Sequence, residues 1–107
     1  MVILRALPAL FLASATAAGA AECRLALALA LDVSSSVDAT EDALQRGGLA
    51  AALVAPEVQQ AIFSDPLPVA LAVYEWSGRY NQVLLVDWTL IRDQGTLAAV
   101  SASIATS

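Results

Sequence analysis

Histidine and lysine are both absent from this 107-residue chain, and cysteine occurs once. Without histidine, no Ser-His-Asp or Cys-His catalytic arrangement can be assembled from these residues. The same absence removes histidine-containing zinc sites, and one cysteine cannot make a thiolate-rich site. Any bound metal must then be held by oxygen, which favours Mg²⁺, Mn²⁺ or Ca²⁺. Charge is sparse as well, at 14% of residues against roughly 25% in soluble domains. The five basic residues are all arginine, ten acidic residues outnumber them, and the net charge is −5. Nucleic acid is a poor partner for such a chain, because phosphate binding needs clustered Lys and Arg.

Apolar residues are plentiful instead, at 59%, though much of that is alanine, which buries little surface. The length allows one small domain at most. Residues 1–20 read as a secretory signal peptide: Arg5 gives the positive start, Ala6 to Ala13 the apolar stretch, and Ala18-Gly19-Ala20 a small-x-small cleavage site. The apolar stretch falls short of the ~20 residues a membrane span needs. Cleavage before Ala21 leaves no stable membrane anchor and a periplasmic or secreted domain over residues 21–107, carrying four arginines against ten acidic residues, net −6. Cys23 then sits near the mature N-terminus, with Glu22 before it where lipidation wants a small residue. A lone cysteine is unusual in an oxidising compartment.

Leu25 to Leu31 alternates leucine and alanine strictly, the period of a strand, although both residues favour helix. With neither face polar, the segment is expected to be buried on both sides, as in parallel sheets covered by helices above and below. Asp38 and Glu41 form a capping box for a following helix. Asp42, Gln45 and Arg46 fall on its expected wet face, with Asp42 and Arg46 spaced for an ion pair. Leu44, Gly48, Ala51, Ala52 and Ala55 fall on the opposite side, and close packing onto the sheet would compensate for Gly47 and Gly48. Pro56 ends this helix, and Glu57 to Phe63 adds a short second one. Val69 to Trp76 and Val83 to Trp88 read as strands joined at Gly78 to Asn81, a connection short enough to force them antiparallel. Thr89 to Gly95 is expected as loop, and Thr96 as the cap of a last helix to about Ala105. The first crossover requires a parallel pair with a right-handed connection.

Chemistry concentrates in Asp32-Val33-Ser34-Ser35-Ser36, between a strand and a helix N-terminus. Ligand sites in open α/β sheets gather at the carboxyl ends of strands. Asp32, Ser34 and Ser36 alternate and can point toward one spot, giving a hard-oxygen cluster suited to a small divalent cation. Three groups are too few for a six-coordinate shell, so waters, other loops or a partner's carboxylate must complete it. The same residues could instead be turn and cap groups satisfying the amides of the helix start. Trp76 and Trp88 read as packing residues at strand ends, and Glu75 and Asp87 as solvated charges.

Asp-x-Ser-x-Ser after a hydrophobic strand resembles the first segment of the metal-ion-dependent adhesion site of von Willebrand factor type A domains. The segments from Asp32 to Asp38, Leu44 to Leu53, Val69 to Gly78 and Asp87 to Thr89 look like an uncharacterised family of secreted bacterial proteins related to that domain. The resemblance spans the whole mature segment. It implies a doubly wound, Rossmann-like α/β fold, present here in its first half, with Val83 to Trp88 as an antiparallel edge strand. It also implies direct metal contact by the hydroxyls of Ser34 and Ser36, with the Asp32 carboxylate often acting through water. The pattern further calls for a threonine from a second loop and an aspartate from a third, both at positions beyond Ser107.

The leading expectation is therefore a binding module, in which a cation (Mg²⁺, or Mn²⁺ or Ca²⁺) at Asp32, Ser34 and Ser36 captures an acidic group on a protein partner. An enzyme with Asp32 as phosphoryl-accepting nucleophile is a weaker fit, because such enzymes usually carry a second acid where Ser34 stands. A third reading is a truncated, inactive product whose first strand keeps an unpaired edge.

Overall fold

The computed structural model describes residues 2–6, 8 and 22–107. Apart from residues 2–6 and 8, the expected leader and its cleavage site lie outside the described residues. The elements run β1 (Leu25–Asp32), α1 (Ala39–Leu53), α2 (Pro56–Ile62), β2 (Val69–Trp76), β3 (Gln82–Ile91) and α3 (Gln94–Ala105). No described helix is long and apolar enough to cross a membrane.

The alternation of Leu25 to Leu31 prevails over helix propensity, and β1 pairs in parallel with β2, Leu25 beside Val69 through Asp32 beside Trp76. The β2–β3 pair is antiparallel. Its connection needs a left-handed residue, which Gly78 supplies at φ +78°, and Ser77 N–H donates to Asn81 O at 2.9 Å. The register of this pair shifts twice, between Leu71 and Val73 and between Val73 and Tyr74. The result is a mixed α/β arrangement with sheet order β1-β2-β3.

The buried strand is β2, not β1. Val69 to Val73 are all buried, whereas on β1 only Leu31 is, at 2% exposure, and Leu25 and Leu27 are 46% and 37% exposed. The expectation that the Leu25–Leu31 strand is covered on both sides is not met among the described residues, where β1 is the outer strand and the helices pack on one face only. Leu29, Leu31, Leu71 and Val73 share one sheet face and form a single core with Ala50 and Leu53 of α1, Ile62 of α2, and Leu97, Val100 and Ile104 of α3. The helices thus gather on that face, and Ser101 Oγ ties α3 to α1 by donating to Ala50 O at 2.7 Å. Among the described residues, no second helical layer covers the face carrying Ala26, Ala28 and Ala30, all three exposed.

Three further expectations change. β3 does not stop at Trp88 but continues to Ile91, because Thr89, Leu90 and Ile91 complete the pairing of Leu71, Ala70 and Val69, and Ile91 reaches the core at 1% exposure. The cap of α3 is Asp93 rather than Thr96, its carboxylate accepting from Thr96 N–H at 2.7 Å. Trp76 and Trp88 are not packed away: they are 36% and 55% exposed, alongside Leu84 at 56%.

Candidate functional site

The strand β1 ends at Asp32, and the chain turns through Val33 to Val37 before entering α1. Asp38 caps that helix as its sequence requires: Glu41 N–H donates to Asp38 Oδ1 at 2.8 Å, and Asp38 N–H donates to Glu41 Oε2 at 3.0 Å. Asp38 therefore serves the first turn of α1, and the side chains of Asp32, Ser34 and Ser36 are left to one another.

These three do come together. Asp32 Oδ1 accepts from Ser34 N–H at 2.9 Å and from the Ser34 hydroxyl at 2.5 Å, and Ser34 Oγ lies 3.3 Å from Ser36 Oγ. Donation to the Asp32 carboxylate, by the Ser34 hydroxyl first and its N–H second, holds that carboxyl below its ordinary range against a small opposing effect of burial. Asp32 is thus anionic at neutral pH. With the Ser34 proton committed to Asp32, the Ser34 oxygen keeps its lone pairs as acceptors, one of them within reach of the Ser36 hydroxyl. Oxygens sharing one ion side by side stand about 2.9 Å apart on Mg²⁺ and about 3.3–3.7 Å apart on Ca²⁺, from their usual bond lengths. The Ser34–Ser36 separation fits within that span.

Sequence reasoning missed what holds this loop in place. Gln45 does not point into solvent: its carboxamide Oε1 accepts from Asp32 N–H at 3.1 Å, and its Nε2 donates to Asp32 O at 2.9 Å. Arg46 donates through Nε to Asp42 Oδ2 at 2.9 Å, pairs with Glu75 Oε1 at 2.7 Å, and reaches Ser107 Oγ at 2.7 Å. The expected Asp42–Arg46 pair is present, but the residues assigned to the wet face of α1 are its half-buried flank against the ends of β1 and β2. Glu75, expected to be solvated, has a side chain only 20% exposed beneath Arg46. Conversely, Leu44 is 71% exposed, and an added Cβ at Gly47 or Gly48 would meet nothing within 4 Å. The helix is therefore rotated relative to its expected packing, since burying the long polar side chains against strand-end backbone and charge satisfies more groups than burying glycine and alanine. The Asp42–Arg46 spacing was the available signal for this flank, and nothing local pointed to Glu75.

A depression of about 260 Å³ adjoins the loop, lined by Val33, Val37, Asp38, Ala39, Asp42 and Arg46. A wider hollow of about 660 Å³ lies elsewhere, at the β2–β3 hairpin by Tyr74, Trp76 and Arg79. No group of three or more Cys, Asp or Glu side chains positioned to hold a metal occurs among the described residues. Among the described residues, the oxygens gathered at this loop are those of one carboxylate and two hydroxyls.

Residues 22–107 match a family described as protein of unknown function, DUF1194. Neither the curated proteins nor the solved structures yield a match.

Proposed function

We propose that this chain, which belongs to the DUF1194 family of proteins of unknown function, is an exported binding module built on the first half of a von Willebrand factor type A-like, doubly wound fold. It acts by recognition and not by catalysis. A divalent cation, Mg²⁺ or alternatively Mn²⁺ or Ca²⁺, sits on the Ser34 and Ser36 hydroxyls and is balanced by the Asp32 carboxylate. Its open coordination positions take an acidic group presented by a protein partner. The single observation supporting this reading is the convergence of the three side-chain oxygens, with Ser34 Oγ 2.5 Å from Asp32 Oδ1 and 3.3 Å from Ser36 Oγ. Asp38, the residue best suited to neutralise the helix start, already does so, which frees the trio from that duty.

Titration calorimetry with Mg²⁺ and Mn²⁺ on the chain and on Asp32→Ala tests the reading. The expected result is a saturable heat that the variant loses. Equal heats from the two proteins rule the site out.

A further inference from the structure

We propose that the partner engages this chain through an acidic segment bearing two carboxylates, one taken by the cation at Asp32, Ser34 and Ser36 and the other by Arg79 at the tip of the β2–β3 hairpin. The inference rests on the cation reading above and names the kind of partner that reading leaves open.

The fold brings the two positions to one end of the sheet. β1 and β2 are parallel, and Asp32 at the end of β1 stands beside Trp76 at the end of β2. Val33 N–H donates to Trp76 O at 2.9 Å, so the serine loop and the hairpin leave the sheet side by side. Side chains alternate between faces along a strand. Leu31 is buried in the core under the helices, so Asp32 points to the other face. Neighbours in register share a face, which puts Trp76 on the side of Asp32, and Arg79 borders the same hollow as Trp76. The three steps of chain from Trp76 to Arg79 span at most about 10 Å. Local bonds set the hairpin's shape: Gly78 takes φ +78°, Ser77 N–H donates to Asn81 O at 2.9 Å, and Gln82 Nε2 donates to Arg79 O at 3.2 Å. The hairpin lies across β2 from β1, so strands added along the outer side of β1 leave it in place.

Charge decides which way an acidic segment runs from the cation. On the helix side stand Asp38 and Glu41, both exposed at the start of α1, and they repel a second carboxylate. Residues 21–107 carry four arginines. Arg24 is committed to the carbonyls of Ala61 and Ile62, and Arg46 to Asp42 and Glu75. Arg92 follows Ile91, which pairs with Val69 at the start of β2, so it stands at the opposite end of the sheet. Arg79 is exposed, and among the described residues its side chain forms no salt bridge. Its planar guanidinium suits a single carboxylate, held by two parallel N–H donors.

Fluorescence anisotropy of a labelled peptide, Gly-Ser-Glu-Gly-Glu-Ser-Gly, titrated with the whole chain in Mn²⁺ at low ionic strength, provides the test. The reference is the same peptide with one glutamate changed to glutamine. The two acids lie on one side of an extended backbone, about 7 Å apart. The wild-type chain should hold the two-acid peptide about five- to tenfold tighter, about twofold from having two equivalent groups and the rest from one exposed ion pair. Arg79→Gln should lower that ratio to about twofold, whereas Arg92→Gln, which removes the same charge at the far end, should leave it unchanged. A wild-type ratio of about twofold, an equal fall in both variants, or no binding of either peptide overturns the proposal. Mn²⁺ calorimetry on the wild-type chain separates the two readings. A saturable heat without an Arg79-dependent preference sinks this inference alone, and no heat sinks both.

Discussion

Replacing Arg46 by methionine isolates the charge that underlies the site. Methionine keeps much of the aliphatic stem's volume, so lost packing is small. What disappears is the guanidinium that contacts Asp42 at 2.9 Å, Glu75 at 2.7 Å and Ser107 Oγ at 2.7 Å. Glu75 then has no other hydrogen-bond donor among the described residues. Asp42 is worse placed, since its Oδ1 is already buried without a partner. Exposed ion pairs contribute about 0.2–1 kcal/mol, and breaking a buried pair costs about 3–5 kcal/mol. Side chains 13% exposed for Arg46, 20% for Glu75 and 33% for Asp42 lie between those limits, closer to the buried one. A loss of about 2 kcal/mol follows for Arg46→Met. In a domain of under 100 residues that lowers Tm by roughly 8–16 °C. Adding Glu75→Gln removes one stranded charge and should recover about 1 kcal/mol, so the double variant is more stable than Arg46→Met alone. Urea unfolding followed by circular dichroism gives the three free energies. If Arg46→Met costs under about 0.5 kcal/mol, or if the two losses simply add, the network is surface decoration.

Gly47→Ala should stabilise the chain by about 0.5–1 kcal/mol, because the helix gains propensity and nothing stands within 4 Å of the new Cβ. A lower urea midpoint for that variant would mean that α1 packs against something through this position. Leu71→Ala, at a residue 1% exposed in the middle of β2, should cost about 2–5 kcal/mol and leave little folded protein by circular dichroism. Asp32 is held below the ordinary carboxylate value of 3.8 by the Ser34 hydroxyl and then the Ser34 N–H, and Asp93 by the Thr96 N–H and then its hydroxyl. Because both are depressed in the folded state, their stabilisation is complete above the ordinary value and is lost as pH falls below it. Thermal melts should be flat from neutrality to about pH 5 and decline beneath pH 3.8, less steeply in Asp93→Asn, and a decline starting above pH 6 would contradict this assignment.

Much of this architecture can be read from local chemistry. The alternation of Leu25 to Leu31 defines a strand, Asp38 with Glu41 defines a helix start, and the short Gly78 connection defines an antiparallel pair, because each signal lies within a few neighbouring residues. The convergence of Asp32, Ser34 and Ser36 was legible for the same reason, since all three belong to one turn. What was not legible depends on partners far along the chain. The rotation of α1 is decided by Glu75 and by the backbone of Asp32, which no helical periodicity reveals. In a segment as rich in alanine and glycine as Ala43 to Ala52, hydrophobicity barely distinguishes one face from another. The cap at Asp93 is hard to read although Asp-x-x-Thr is itself a cap pattern, because Leu90-Ile91, a lone apolar pair between Thr89 and the polar run Arg92-Asp93-Gln94, is too short to mark the end of β3 by itself.

The carboxamide of Gln45 occupies the place where the main chain of a neighbouring strand would otherwise bond to Asp32. The tip of β1 and the second turn of α1 are consequently clamped into one bracket, independent of whatever lies further down the strand. The serine loop thus inherits its shape from two anchored walls, without help from the rest of the sheet's border.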